Sequence, residues 1–525
     1  MRHISPAGSR RAALLTTEQM AEADRLTIAA GAASLALMEQ AGRALARHAM
    51  EGRPPGSLLV LAGPGNNGGD GFVAARYAQD AGWRVRVGFV GETSQLRGDA
   101  AQMAAQWHGT RRRADPDLLD GSSLVIDAIF GAGLSRPIDG AAAALIETVN
   151  RSGIPVVSAD IPSGVDGNTG AVRGVAVQAE RTVTFFRSKP GHWLLPGRRL
   201  CGAVHVADIG IPDPVLERIG PRTFLNGPGF WTDIFPRPGV ATHKNERGHV
   251  MVVSGGPLNT GAARLAAMGA LRAGAGLVTV LSPPEAAVVN ATHLTAIMVS
   301  AFSDAANLRR LAEEKAQALV IGPAAGVSEE TRRHVLDLLA LGRPIVLDAD
   351  ALTVFADRPD ALFQALHGAV VLTPHLGEFR RLFPDLAARL SGVGTDPDRL
   401  LLAREAARRC GATVLLKGPD TIVAGGSEPM AASGGAASVP AAINTNAPPD
   451  LATAGSGDVL AGLIAGLMAQ GLSAFAAAGA GAWLHGEVGR RAGRGLIAED
   501  LPGCLPAVLT DLDRSSPHGS EANGM

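Results

Sequence analysis

Aromatic residues make up only 4% of this 525-residue chain, while glycine numbers 66. That balance suits α/β proteins whose turns present bare backbone to a ligand. Cysteine is nearly absent: Cys201, Cys410 and Cys504 are odd in number, far apart and form no CxxC pair. A disulfide framework and a zinc site are thereby excluded, and a reducing cytoplasm is the expected compartment. Excess charge is missing too. The formal net charge is −1, so there is no global basic field to hold nucleic acid or an acidic membrane. The local run Arg111-Arg112-Arg113 reads as solvated surface. The opening MRHISPAGSRR lacks the apolar stretch of a signal peptide. The one long apolar run, Val459 to Leu484, is broken by Gln470-Gly471 and Ser473, and reads as two buried helices rather than a membrane span.

What is present is a soluble globular composition, 46% hydrophobic and 18% charged, in a chain long enough for two or three domains. Residues 1–13 and 511–525 show no apolar periodicity and are expected to be disordered. From Thr16 to His48 the pattern is helical, with Thr17 as N-cap. Apolar runs then alternate with helical stretches: SLLVLA (57–62), RVRVGFV (84–90), LVIDA (124–128) and PVVSA (155–159) read as strands. Residues 216–239, rich in Pro and Gly, read as a linker. The alternation restarts with HVMVVS (249–254), LVTVL (277–281), ALVI (318–321), PIVL (344–347), AVVL (369–372) and TVLL (413–416). Two α/β domains with parallel sheets are expected, over 14–215 and 240–510.

In the first domain a strand runs into Gly63-Pro64-Gly65-Asn66-Asn67-Gly68-Gly69-Asp70-Gly71 and then a helix. Glycines allow close backbone approach, and the helix N-terminus offers unpaired N–H groups to an anion, which is a pyrophosphate-binding geometry. It is neither the Rossmann GxGxxG nor the Walker loop. Asn67 can also offer an amide oxygen to a cation, and Asp70 reads alternatively as a helix cap. Two further strand ends supply partners: Asp127 with the loop Gly131-Ala132-Gly133, and Asp160 with Ser163. In open parallel sheets such loops converge on a ligand.

The strings AGPGNNGGDG, DAIFGAGL and ADIPSGVDG, with LMEQAG at 37–42, resemble the NAD(P)H-hydrate epimerase family, the YjeF N-terminal domain. The resemblance spans about Leu14 to Ile211; members usually show Asn where Gln40 stands. It implies a Rossmann-like three-layer domain that binds hydrated NADH or NADPH. It also implies a potassium ion held by Asn67, Asp127 and Ser163. By the same resemblance Asn66, Asn67, Gly68, Gly69 and Asp70, with Gly131, Ala132, Gly133, Leu134, Ser135, Arg136 and Pro137, hold the cofactor phosphates, and Asp160 faces the nicotinamide end. Epimerisation at C6 needs proton traffic, and Asp160 is the candidate acid/base.

In the second domain ATAGSGDVLAG (452–462) sets Gly457 and Asp458 just before an apolar helix. Backbone N–H groups there can neutralise a transferring phosphoryl group, and Asp458 can take a proton from the attacking hydroxyl. The bland alternative is a glycine turn with an aspartate cap. Lys417 stands at a strand end where it can reach phosphate. His375, in TPHLGE, is either a substrate contact or a satisfied loop residue. LDADAL (347–352) offers two carboxylates for Mg²⁺ or for capping.

These strings, together with HKNERGHVMVVSGG (243–256) and GAARLAAMGALRAGAGLV (261–278), resemble the ADP-dependent NAD(P)H-hydrate dehydratases, whose fold is ribokinase-like. The resemblance covers about Val240 to Pro506. It implies that Lys417, Gly418, Pro419, Asp420 and Thr421 hold the AMP part of ADP, with Gly457 on its phosphate. Ala262, Gly326, His375 and Asp458 contact the hydrate. The chain departs from the family at Gly322-Pro323-Ala324-Ala325-Gly326, where GPGLG is common, and at Asn446-Ala447-Pro448-Pro449-Asp450, where a TGNPG-like stretch is common. The expected activity is epimerisation of hydrated NAD(P)H followed by dehydration of the S form, converting ADP to AMP and phosphate. The partners are these small molecules only, and a homo-oligomer is expected. Two rivals stand beside this reading: a vitamin-alcohol kinase with a regulatory N-terminal domain, and a non-catalytic nucleotide sensor.

Overall fold

The computed structural model describes residues 1–390, 398–426 and 438–515, and divides into two compact units. One is Ala13–Thr223; the other combines Met1–Ala12 with Phe224–Met525.

The first unit is built on seven parallel strands: β1 (Ser57–Ala62), β2 (Arg84–Phe89), β3 (Thr110–Arg113), β4 (Leu124–Ala128), β5 (Val156–Ala159), β6 (Arg181–Phe185) and β7 (Ala203–Ala207). They lie in the order β3-β2-β1-β4-β5-β6-β7. The central strands β1, β4 and β5 are buried on both faces, which is why they read as apolar runs without alternation. Leu58, Val60 and Ala62 pack against helices Ser34–Met50 and Asn66–Asp80, while Leu59 and Leu61 pack with Leu145, Ile146 and Val149 of helix Gly140–Ser152. The result is the expected three-layer domain. The chain direction across the sheet reverses between β1 and β4, so the loops that follow these two strands meet at the switch point.

The helical stretch after residue 16 is two helices, Thr17–Ala29 and Ser34–Met50. Its cap is Thr16, one residue before the expected Thr17. The Thr16 hydroxyl accepts from Gln19 N (3.2 Å), and Gln19 returns the bond to Thr16 N (3.1 Å). That reciprocal pair needs Gln at the third helical position, which selects Thr16.

The second unit carries β8 (Thr223–Leu225), β9 (His249–Val253), β10 (Leu277–Ser282), β11 (Met298–Ala301), β12 (Ala318–Ile321), β13 (Ile345–Leu347), β14 (Val370–Leu372), β15 (Thr413–Leu416), β16 (Thr421–Ala424) and β17 (Ala441–Asn444). Their order is β8-β17-β16-β15-β14-β13-β12-β9-β10-β11. β9 to β15 are mutually parallel where they pair, and β16 and β17 run antiparallel at one side. The switch point lies between β9 and β12. Val250, Val252, Val280, Val320, Val346 and Val371 face helices Gly261–Arg272, Ser456–Ala469 and Ala474–Ala492. The last two are the pair expected from the long apolar run, with Ser473 capping the second. Among the described residues no helix is long and apolar enough to cross a membrane.

Gly462 and Gly466 let helix Ser456–Ala469 lie against helix Gly261–Arg272. A Cβ on Gly462 would run into the Ala266 carbonyl. Gly462→Ala is expected to lower stability by roughly 2–3 kcal/mol through overpacking, read as a fall in the melting temperature of the second unit.

Two expectations are corrected. Residues 1–13 are not disordered: Pro6–Ala12 is a helix, and Arg2 exchanges backbone hydrogen bonds with Gly471 (2.6 Å) and Ser473 (2.9 Å). Gly8 supplies the close approach, since a Cβ there would strike the Phe230 carbonyl. The stretch 216–239 is not a free linker either. It holds β8 and helix Pro228–Trp231, anchored because Phe224, Phe230, Trp231 and Phe235 are buried. At the other end helix Asp500–Ser515 includes 511–515 of the expected tail; residues 516–525 lie outside the described residues.

Candidate active site

The carboxyl ends of β1, β4, β5 and β6 in the first unit frame a cavity of about 660 Å³. Asn66, Asn67 and Asp70 line it from helix Asn66–Asp80, which begins behind Gly65; Asp70 therefore sits in the second turn and is not a cap. Gly131 to Arg136 line it from the loop after β4, and Asp160 from the end of β5. Gly68 and Gly69 are not on its wall. Their missing Cβ atoms make room for the Gly63 carbonyl and the Met38 side chain. Pro137 is likewise off the wall.

Asp160 adopts a left-handed backbone with φ +62°. A non-glycine residue there is strained by about 1–3 kcal/mol, and such strain gathers at functional sites. Its side chain is held from three sides. One oxygen accepts from Ala132 N (3.1 Å), and the other from the Thr184 hydroxyl (3.1 Å) and the Lys189 ammonium in a close ion pair. Lys189 is 2% exposed. The buried His192 ring accepts from Lys189 N at Nδ1 (2.9 Å), so its Nε2–H donates to the Asp160 carbonyl (2.7 Å). Burial pushes the His192 pKa down to about 4, so the ring is neutral. Burial also works to raise Asp160, but the Lys189 charge outweighs it and the carboxyl stays below its ordinary range. Lys189 and His192 were missed in the sequence. Their signal, SKPGH just beyond β6, carries no loop of the type used to find the others.

Asp127 and Ser163 lie in a fully buried cluster. Asp127 accepts from Ser158 Oγ (2.8 Å), Ser163 N (2.8 Å) and Ser163 Oγ (2.6 Å). Burial raises its pKa against those hydrogen bonds, and no Lys or Arg pairs with it among the described residues. The buried amide nitrogen of Asn67 has no hydrogen-bond partner among the described residues.

In the second unit Gly455 takes φ +84° and turns the chain into helix Ser456–Ala469, so Gly457 and Asp458 stand in its first turn. Lys417, at the end of β15, pairs with Asp348 (2.8 Å) at the end of β13. A Cβ on Gly457 would lie 3.5 Å from the Lys417 ammonium. Burial, then the Asp348 charge, raises the Asp458 pKa to about 6, with Lys417 pulling against them. Burial opposes the Lys417 charge, but Asp348 outweighs it and the ammonium stays protonated. Gly457, Asp458, Lys417 and Asp348 therefore converge.

The two halves match two family models, the YjeF-related protein N-terminus over residues 34–191 and NAD(P)H-hydrate dehydratase over residues 250–502. The bifunctional NAD(P)H-hydrate repair enzyme of Moorella thermoacetica is 37% identical, over 95% of this chain and 97% of the relative. The chain belongs to the bifunctional NAD(P)H-hydrate repair enzymes. The repair enzyme of Salinibacter ruber is 35% identical, over 95% of this chain and 96% of its own. A solved ribokinase-like superfamily protein from Enterococcus faecalis aligns with 53% of this chain and 93% of its own, at 23% identity and a TM-score of 0.44. Because whole-length relatives join both halves under one repair activity, the vitamin-kinase and sensor readings are set aside.

The remaining expected residues of this repair enzyme are placed as follows. His375 caps helix Leu376–Leu382, its Nδ1 accepting from Gly377 N (2.8 Å) and Glu378 N (3.3 Å), with the ring largely exposed. Gly418 and Thr421 close a turn on each other, Thr421 Oγ1 donating to Gly418 O (2.8 Å). Pro419 lies within that turn, and Asp420 is buried in an ion pair with Arg399. Asp350 accepts from Gly326 N (2.9 Å), so this carboxylate of LDADAL has a structural partner. Ala262 sits in the first turn of helix Gly261–Arg272. Ala324, where relatives often carry Gly, holds φ +51°. His485, also missed, is buried, and burial pushes its pKa down to about 4.

Proposed function

We propose that the first unit interconverts the R and S epimers of hydrated NADH and NADPH. The second unit dehydrates the S epimer, converting ADP to AMP and phosphate. The observation that carries this is the pairing of sites: each unit brings an aspartate to the carboxyl ends of its parallel strands beside a buried lysine, Asp160 gripped by Lys189 and Asp458 beside Lys417.

In the first unit Asn66, the Gly131–Arg136 loop and the start of helix Asn66–Asp80 hold the dinucleotide phosphates. Asp160 exchanges a proton at the C6 hydroxyl. In the second unit Asp458 takes the proton of that hydroxyl as its oxygen attacks the terminal phosphorus of ADP, and AMP leaves. Lys417 and the backbone at Gly457 balance the phosphoryl charge. The ring nitrogen lone pair then expels phosphate, and loss of the C5 proton restores the dihydropyridine. Mg²⁺, which binds phosphates with few protein ligands, would enter with the nucleotide. Asp348 is the strand-end carboxylate on hand. Incubating the protein with both hydrate epimers and ADP is expected to restore the full dihydropyridine absorbance. Restoration of only the S fraction removes the epimerase half of the reading, and none at all removes the dehydratase half.

The Asn67, Asp127 and Ser163 set supports potassium. It is an all-oxygen set with one carboxylate, and that carboxylate is buried without a cationic partner among the described residues, which is costly unless an ion balances it. Potassium there would neutralise Asp127 and fix the loop at Phe130, whose N–H donates to Ser163 Oγ (2.9 Å). At potassium near 100 times its Kd the first unit should gain about 2.7 kcal/mol. Its melting temperature is expected to rise with potassium but not lithium, and Asp127→Asn is expected to abolish the difference.

A further inference from the structure

Asp24 is a carboxylate to which neither the fold nor the chemistry above gives a task. It stands on helix Thr17–Ala29 and lines the same cavity as Asp160 and Lys189. Its neighbours on the helix explain why it is there: Ala23, Leu26 and Thr27 are buried against the core, while Asp24 is left half-buried at the cavity edge. It has no hydrogen bond or ion pair among the described residues. Arg25 is taken by Glu22 (2.6 Å). A half-buried carboxyl left without a partner is unfavourable for the fold, and such groups belong to sites where a ligand completes them.

Epimerisation through a ring cation has a two-sided requirement. The hydroxyl leaves one face of C6 as water, and a new water must attack the other. One group must give a proton while a second group takes one. Asp160, fixed by Lys189, Thr184 and Ala132 N, can serve only one face.

We propose that Asp24 is the second catalytic acid/base of the epimerase, working on the ring face that Asp160 does not reach; this rests on the epimerase reading above. In one direction the Asp24 carboxyl protonates the departing hydroxyl. The C6–O bond breaks, the nitrogen lone pair forms the C6=N bond, and water is released. A lone pair of a second water forms the new C6–O bond on the opposite face, the C6=N π pair returns to nitrogen as its lone pair, and Asp160 takes a proton from the added water. The reverse reaction runs the same steps backwards, from protonated Asp160 and ionised Asp24. Both directions use the singly protonated pair, so both share one pH profile.

The charged environment suits that division. Burial raises Asp24 to about 6, with Lys189 lowering it and Asp160 raising it. Asp160 itself is held low. Asp70, from helix Asn66–Asp80, also faces this carboxylate pair and is raised well above its ordinary value by burial. Asp99 and Arg136 complete the ionisable groups of the cavity wall.

The test is R-to-S conversion by the full-length protein without ADP, corrected for the spontaneous rate. Asp24→Asn is expected to lose at least ~100-fold in kcat with KM little changed. Wild-type turnover is expected to fall as pH rises through about 6, and that limb is expected to vanish in the variant. Because Asp24 bonds nothing in the described residues, the replacement costs the fold no contact; Asp24→Ser, with both melting temperatures recorded, gives a second uncharged form. Turnover within about threefold of wild type in either folded variant, or a limb that persists, overturns the assignment. A wild-type protein that does not epimerise at all overturns the epimerase reading instead.

Discussion

Replacing Asp458 with Asn should cut dehydration of the S hydrate by at least ~10³-fold, within the range a positioned general base supplies, while epimerisation continues at the wild-type rate. The side chain is half-buried in the first turn of its helix. Asn keeps its shape and removes only the basic oxygen, so the helix and the Gly457 backbone should stay in place. The wild-type profile provides a second readout. Asp458 must be ionised to act, and its pKa is raised to about 6. Turnover should therefore climb as pH rises through that value and level off above it, and the residual activity of the variant should lack the climb. Single-turnover rates with ADP and purified S epimer measure both. Equal loss of the two activities would end the assignment of one reaction to each unit.

Lys189→Met should strike the other half as hard. Lys189 is all but fully buried, and its ion pair with Asp160 lies inside the unit. Removing one partner of such a pair strands the other charge, at a cost of roughly 3–5 kcal/mol. Asp160 escapes that cost by taking up a proton, because burial alone raises its pKa once the lysine is gone. Epimerisation at neutral pH should drop about 10²–10⁴-fold. Without Lys189 both Asp160 and Asp24 keep their protons to higher pH, so the residual activity should have its pH profile displaced upward, which a purely structural lesion would not do. Melting of the first unit and the pH profile of R-to-S conversion together check this.

Much of the architecture could be read from composition and pattern. Leu124–Ala128 and Thr413–Leu416 were placed to the residue, because strands buried on both faces leave unbroken apolar runs. Thr110–Arg113 was not, since an edge strand of exposed arginines has no apolar signal at all. Met298–Ala301 escaped for a similar reason: it is a partly exposed edge of four residues. Glycine loops pointed to Asn67, Asp160 and Asp458, because tight turns leave a mark in sequence. Lys189, His192 and Asp24 leave none, as their task depends on partners 29, 32 and many more residues away. The chain carries its backbone logic openly and its ion pairs covertly.

The small helix at residues 6–12 has a consequence for how the protein is made. Arg2 and this helix leave the ribosome hundreds of residues before Gly471, Ser473 and Phe230, against which they rest. The epimerase unit can close before then; the dehydratase unit must wait for its opening residues to be recaptured. A bulky side chain at Gly8, where a Cβ would strike the Phe230 carbonyl, would therefore be expected to handicap the half of the protein that looks farthest from it on a linear map.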